Sequence, residues 1–167
     1  MVCSAAITGE KSTLYRTINE LLHLTSESVA REDDYSDIAG MHVLVAEDHE
    51  VNWQILSMML SMYGIESTHA ENGQIAVDLL ASSQPGDYDL VFMDVQMPVM
   101  NGIEATKAIR MLPDERISAI PIIATTANAF SEDVAVCLDA GMNGHIAKPI
   151  EIKLVLKEIQ KVKESMS

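Results

Sequence analysis

Val91-Phe92-Met93-Asp94-Val95-Gln96-Met97-Pro98-Val99-Met100-Asn101-Gly102 changes pattern twice within a few residues. The apolar run Asp89–Met93 (Asp-Leu-Val-Phe-Met) reads as a short strand, and a carboxylate, Asp94, stands at its end. Asn101-Gly102 then opens a helix from about Ile103 to Met111. A short strand without polar alternation is one that is covered on both faces. Outward from this unit the same arrangement recurs. On the N-terminal side, His42–Ala46 is a strand, and Val51–Tyr63 is a helix with apolar residues at 51, 55, 58, 59 and 62 that Gly64 stops. Ile65–Ala70 is a strand, and Asn72-Gly73 opens a helix through about Ser82 with Ile75, Ala76, Leu79 and Leu80 on one face. On the C-terminal side, Pro113–Ser118 reads as a charged loop and Pro121–Thr125 as a strand. Ser131 is expected to N-cap a helix to Asp139 that Gly141 ends. Gly144–Ala147 is the fifth strand and Glu151–Lys163 a final amphipathic helix. Five strand–helix units predict an α/β fold, a doubly wound five-stranded parallel sheet with helices on both faces.

Composition agrees with that architecture. The chain has 167 residues, 48% of them apolar, enough for a full core. Aromatic residues are only 4%, so the core must be built from Ile, Val, Leu, Ala and the 11 Met. A net charge of −14 repels phosphate backbones and anionic lipid, which argues against nucleic-acid partners and membrane contact by this segment. Cys3 and Cys137 form no C-x-x-C pair, so neither a zinc ribbon nor a disulfide framework is indicated. No apolar run reaches membrane-spanning length, and the start lacks a basic region followed by a long apolar stretch. The expectation is a cytoplasmic protein.

In open parallel sheets, ligands bind outside the carboxyl ends of the strands. Glu47 and Asp48 follow strand 1, Asp94 follows strand 3, Thr125 and Thr126 follow strand 4, and Lys148-Pro149 follows strand 5. If strands 1 and 3 are neighbours, three carboxylates converge, and that needs a cation to offset it. A hard divalent ion with oxygen ligands fits, such as Mg²⁺. A carboxylate nucleophile, a metal, a lysine and a hydroxyl suit phosphoryl transfer. Taken singly, Asp94 reads as a turn-capping Asp, Glu47-Asp48 as an acidic pair at a helix N-terminus, and Lys148 as a surface lysine. Their register favours a common site.

Four separated stretches, Val43–Asp48, Val91–Gly102, Ile122–Ala127 and Gly144–Pro149, resemble the receiver domain of two-component systems, over roughly residues 41–164. Met97-Pro98-Val99-Met100-Asn101-Gly102-Ile103-Glu104-Ala105-Thr106 resembles the receivers of hybrid histidine kinases especially. The resemblance implies a flavodoxin-like strand order 2-1-3-4-5 and a phosphoacceptor role for Asp94. It implies that Asp48 ligates Mg²⁺ (or Mn²⁺) directly, that Glu47 acts through a water, and that Asp94 and the Gln96 carbonyl complete the metal set. Thr126 and Lys148 would hold phosphoryl oxygens, with Lys148-Pro149 a cis peptide. Ala127, Asn128 and Gln96 lie where the family tunes access and lifetime. The partners implied are a histidine kinase or a histidine phosphotransfer domain, with helix 1 (Val51, Ile55, Met58 or Met59) as the docking face. The role implied is a signalling receiver in a phosphorelay, catalysing only its own phosphorylation and dephosphorylation.

Two positions depart from the family pattern. His145 stands where a larger aromatic switch residue is frequent, and His49 where Asn is frequent. The alternative function is a docking module with a receiver fold that works without phosphorylation. A hydrolase with an Asp nucleophile is disfavoured, because Gln96 occupies the position of its second Asp. Residues 1–40 read apart from the receiver at 41–167. Ser12–Leu24 has helical apolar spacing, and Thr25–Gly40 reads as an acidic linker. The helix is expected to be the remnant of a preceding domain of a larger hybrid kinase, with a homodimerising helix as the alternative.

Overall fold

The structure, a computed structural model, describes residues 34–167. The helix read at Ser12–Leu24, with its domain-remnant and homodimer readings, lies outside the described residues. Five strands, β1 (His42–Ala46), β2 (Glu66–Ala70), β3 (Leu90–Asp94), β4 (Ile122–Thr126) and β5 (Gly144–Ala147), pair in the order β2-β1-β3-β4-β5. Every pairing is parallel. Parallel neighbours need long crossovers, which α1 (Glu50–Ser61), α2 (Gly73–Ser82), α3 (Gly102–Arg110) and α4 (Ser131–Asp139) supply before α5 (Ile152–Met166) closes the chain.

Alternation along the strands divides the core in two. Leu44, Val91, Met93 and Ile122 point to one face, where they meet Ala76 and Leu80 of α2, Ala105 and Ile109 of α3 and Cys137 of α4. Val43, Val45, Phe92, Ile123 and Ile146 point to the other, against Leu56 and Leu60 of α1 and Val155, Leu156, Ile159 and Val162 of α5. Phe92 is fully buried at the centre of the second cluster. Ile38, from a 3-10 turn at Ser36–Ile38, is buried there too. Residues 35–40 therefore pack on the domain rather than behaving as the linker read to Gly40.

Local chemistry explains the boundaries. Asn72 caps α2 by accepting from the Ile75 amide at 2.9 Å. Asn101 and Glu104 form a reciprocal capping box on α3, at 2.9 and 3.2 Å. Ser131 is not the N-cap of α4 but its first helical residue. Phe130 occupies the cap and makes no side-chain hydrogen bond there. Asp114 accepts from the Arg116 amide at 2.9 Å and starts a helical turn, Glu115–Ser118, inside the stretch read as loop. On α1 the inward residues are Leu56 and Leu60, while Val51, Ile55, Met58 and Met62 face solvent. The spacing at 51, 55, 58 and 62 marks the outer face of that helix.

Arg110, the last residue of α3, acts as a clasp. Its guanidinium donates to the carbonyls of Ser118, Ile120 and Gly141 and to the Asn143 amide oxygen. Burial pulls its pKa down, but an arginine stays charged. Arg110→Met keeps the stem and leaves these acceptors without their donor. Buried unsatisfied acceptors cost about 1–3 kcal/mol each, and partial solvation here brings the expected loss to about 2 kcal/mol in urea-induced unfolding.

Candidate active site

Parallel pairing brings all five strand ends to one edge of the sheet. Ala46 is level with Met93, so Glu47 and Asp94 follow side by side. Asp94 pairs with Thr125, and Thr126 with Ala147, so Thr126 and Lys148 fall on the next strands along the same edge. The Lys148 amide donates to the Thr126 carbonyl at 2.8 Å, and Lys148-Pro149 is a cis peptide.

Lys148 reaches back over the sheet edge. Its Nζ lies 2.9 Å from Glu47 Oε2 and 2.9 Å from Asp94 Oδ2. Both carboxylates are almost fully buried. Burial raises the pKa of Asp94, and the neighbouring Glu47 charge adds to that, so hydrogen bonding and attraction from Lys148 do not bring it back to its ordinary value. Burial also pushes Glu47 up, but there Lys148, the Asn52 side chain and the His49 amide prevail and its pKa is lowered. Burial alone would depress Lys148, and the two carboxylates reverse this, leaving its pKa raised. The same ammonium thus serves two carboxylates that move in opposite directions. The difference is the number of donors each receives: Glu47 Oε1 also accepts from Asn52 Nδ2 and from the His49 amide, both at 3.2 Å. Asp94 Oδ1 accepts only the Gln96 amide, at 3.2 Å.

The Glu47 backbone is held as firmly as its side chain. Its amide donates to the Ala70 carbonyl at 3.0 Å, and its carbonyl accepts from His69 Nε2 at 2.8 Å. An acceptor carbonyl requires that Nε2 carry the proton. The His69 ring is stacked on Trp53 of α1, with centroids 4.7 Å apart and planes 2° from parallel. Sequence reasoning gave His69 no role, because a brace formed by β2 and α1 against the end of β1 has no spacing signature. Asn52 was missed for the same reason.

The remaining expected residues are spread around this centre. Asp48 is partly exposed beside it, with Oδ1 3.0 Å from His49 Nδ1. Asp48 and Gln96 line an open groove of about 490 Å³ with Val95, Met97, Pro98 and Asn101. The Thr126 hydroxyl donates to the Asn128 carbonyl at 3.0 Å and accepts its amide at 3.1 Å, so it is engaged with its own loop. Ala127 and Asn128 are exposed in that loop, and His145 is exposed on β5. A second groove, of about 420 Å³, lies at the opposite end of the sheet by Met41, Asp89 and Ile159 and has no part in this cluster.

The donor set around the groove consists of carboxylates, a carbonyl-bearing loop and one imidazole. Two carboxylates share a single ammonium, and Asp48 adds a further negative charge beside them. Such a set fits a hard divalent cation. Glu47, Asp48 and His49 each offer a ligand atom within 4.8 Å of the others.

An open parallel sheet with a buried strand-end aspartate, an acidic pair and a lysine on a cis peptide defines a signalling receiver, and residues 43–160 match the response regulator receiver domain family. The chain belongs to that family and is a receiver domain of two-component signalling. It is 41% identical over 135 residues to hybrid signal transduction histidine kinase L of Dictyostelium discoideum, the match covering 78% of this chain and 8% of that protein. It is 38% identical to the osmosensing histidine protein kinase SLN1 of Saccharomyces cerevisiae, across 76% of this chain and 11% of that one. The chain therefore spans about a tenth of the length of the curated relatives it matches. Among solved structures it resembles the receiver domain of sensor histidine kinase PA1611 from Pseudomonas aeruginosa, which has magnesium coordinated in its active-site cleft. That match has a TM-score of 0.65 and 36% identity, and covers 74% of this chain and 97% of the other. It also resembles a Saccharomyces cerevisiae co-crystal of the histidine phosphotransfer protein Ypd1 with the receiver domain of Ssk1. There the TM-score is 0.65 and the identity 30%, over 75% of this chain and 90% of the matched chain. No helix among the described residues is long and apolar enough to cross a membrane.

Proposed function

We propose that this domain accepts a phosphoryl group onto Asp94 from a phosphohistidine of a histidine kinase or a histidine phosphotransfer domain, as one step of a cytoplasmic phosphorelay. The observation that carries the reading is the buried Asp94 carboxylate, with its pKa raised, 2.9 Å from Lys148 Nζ and beside Glu47 at the carboxyl edge of the sheet. An Asp94 oxygen attacks phosphorus, the P–N bond to the donor imidazole breaks as the P–O bond forms, and the histidine leaves with its electron pair. Lys148 keeps the nucleophile oriented and stays paired with phosphoryl oxygen as charge grows. Thr126 exchanges its Asn128 contact for a phosphoryl oxygen, and exposed Ala127 and Asn128 leave the approach open. Asp48, Asp94 and the Gln96 carbonyl would hold Mg²⁺ or Mn²⁺, with Glu47 behind them. The ion supplies charge neutralisation at the transferred group.

The magnesium in the receiver from Pseudomonas aeruginosa supports this donor set, and the yeast complex supports a phosphotransfer partner. The docking face is the outer side of α1, where Val51, Ile55, Met58 and Met62 stand 66%, 48%, 69% and 78% exposed. Their spacing makes one stripe, and it starts three residues after Asp48. The phosphorylated state shifts a conformational equilibrium that is read out on the α4–β5–α5 side, where His145 is exposed. The chain is read as the receiver of a larger hybrid kinase, with the residues before Tyr35 leading into it from the preceding domain.

The direct test is incubation with a small phosphodonor and Mg²⁺, followed by intact mass and peptide mapping. The domain should gain one phosphoryl group on Asp94, and EDTA should prevent it. No gain in mass would favour docking without phosphorylation. The His69 brace gives a finer test. His69→Ala should weaken Mg²⁺ binding by about tenfold, because a partner that orients a metal-binding loop typically matters to that extent. Its unfolding free energy should fall by only about 1 kcal/mol, the value of one hydrogen bond. Titration monitored by the fluorescence of Trp53, the only tryptophan, checks the first, and unchanged affinity would remove His69 from the site.

A further inference from the structure

The methionines of the described residues divide by burial. Met93, Met97 and Met142 are buried in the core, whereas Met58, Met62, Met111 and Met166 are exposed. Two of the exposed four share one face. Met62, the C-cap of α1, donates its amide to the Met58 carbonyl at 3.3 Å, so the helical turn continues through it. The two side chains therefore lie one turn apart, 69% and 78% exposed, at the end of the stripe that Val51 and Ile55 begin. Met111 caps the end of α3 and Met166 ends α5, both off that stripe. Leu56 and Leu60 complete the inner face of α1, so neither Met58 nor Met62 is needed to fill the core. As contact surface, leucine would serve equally well at both positions. A thioether adds a chemistry that hydrocarbon side chains lack.

Resting on the phosphoacceptor reading above, with the outer side of α1 as its docking face, we infer that Met58 and Met62 form a paired oxidation site, through which a hydroperoxide weakens docking of the phosphodonor and leaves the chemistry at Asp94 untouched. The sulfur lone pair attacks one peroxide oxygen, and the O–O bond breaks as the S–O bond forms. The proton of the transferred oxygen passes to the leaving one, which departs from hydrogen peroxide as water. Sulfur is oxidised by two electrons and the peroxide is reduced by two. The product is a polar sulfoxide that methionine sulfoxide reductases convert back. In the free domain that oxygen meets water and disturbs no packing. Beneath a docked donor it is buried against an apolar surface, where an unpaired polar group lowers affinity by about tenfold. The phosphorelay step thereby takes a second, reversible input from the oxidant level.

The test treats the whole chain with hydrogen peroxide and compares two phosphodonors. Peptide mapping should find sulfoxide at Met58, Met62, Met111 and Met166 before Met93, Met97 or Met142 reacts. Labelling by acetyl phosphate and Mg²⁺, which needs no docking face, should not change. Transfer from the yeast phosphotransfer protein Ypd1, phosphorylated beforehand, should slow by about tenfold at low receiver concentration. Met58→Leu combined with Met62→Leu keeps the stripe apolar and removes both sulfurs. Its treated and untreated forms should accept from Ypd1 at one common rate. Met111→Leu combined with Met166→Leu should show the wild-type loss. An equal loss in the wild type and in the Met58→Leu, Met62→Leu protein overturns the inference and leaves the phosphoacceptor reading standing. So does an undiminished rate in wild type carrying both sulfoxides, a Met58 and Met62 that stay unoxidised while Met111 reacts, or an untreated chain that acetyl phosphate labels and Ypd1 does not. A chain that neither donor labels overturns that reading, and the inference with it.

Discussion

Asp94→Asn is expected to abolish phosphoryl incorporation altogether, because an amide oxygen is not a nucleophile of comparable strength and no other carboxylate at the sheet edge is placed to replace it. The Glu47 carboxylate is occupied by three donors, from Lys148, Asn52 and His49. Asp48 stands outside the ammonium bridge. Intact mass after exposure to phosphodonor and Mg²⁺ is the measurement, and labelling at the wild-type level would refute the assignment. The same variant should raise the melting temperature of the metal-free protein at neutral pH. The sign follows from linkage. The Asp94 pKa is raised in the folded state, so the native protein holds that proton to higher pH than the unfolded chain does. The contribution of Asp94 to stability therefore falls as pH rises through the interval between the unfolded and folded values. Above it the ionised group is a net cost that Asn removes. Glu47 works the other way. Its lowered pKa contributes stability above the unfolded value that is lost as the pH falls through the folded one. Activity and stability thus part company at Asp94, and the two measurements together separate a functional carboxylate from a structural one.

Gly102→Ala should destabilise the domain by about 3 kcal/mol. A Cβ at this position would stand 2.2 Å from the Asp94 carbonyl oxygen and 3.0 Å from Met93 Cγ. The obstacle is backbone, so no rotamer change relieves it. The Gly102 amide also donates to the Val95 carbonyl at 3.0 Å, so any retreat of α3 breaks the bond that shapes the loop after Asp94. Chemical denaturation measures the loss, and a variant within about 0.5 kcal/mol of wild type would contradict the packing argument. Residual folded protein should also show weakened phosphorylation, because the displaced atoms belong to Asp94, the proposed phosphoacceptor.

These two residues mark what could and could not be read from the chain alone. Asp94 was legible because a short apolar strand ends on it, and because Glu47-Asp48 and Lys148 follow strands of the same kind. Parallel topology then obliges them to meet. Gly102 was read only as the opening of a helix. Its requirement is a close approach between α3 and the end of β3, which no local pattern encodes. The outward stripe on α1 has the spacing of a buried face, and only its pairing with a sheet already covered by Leu56 and Leu60 reveals that it is exposed. Ser131 looked like a cap because serine usually is one, whereas the chain enters α4 one residue earlier, through Phe130. The His69 brace and the Arg110 clasp join separate elements through hydrogen bonds to backbone carbonyls, and they leave no periodic trace.

The Arg110 clasp fastens the end of α3 to the turn before β4 and to the turn before β5 through a cation whose charge no ordinary change of acidity removes. None of its partners is a carboxylate, so a new negative charge arriving at the far rim of the sheet has no ion pair there to disturb. That corner is an anchor. On the other side of it lies the span from Ala127 to Phe130, where every residue is exposed and no buried side chain resists movement.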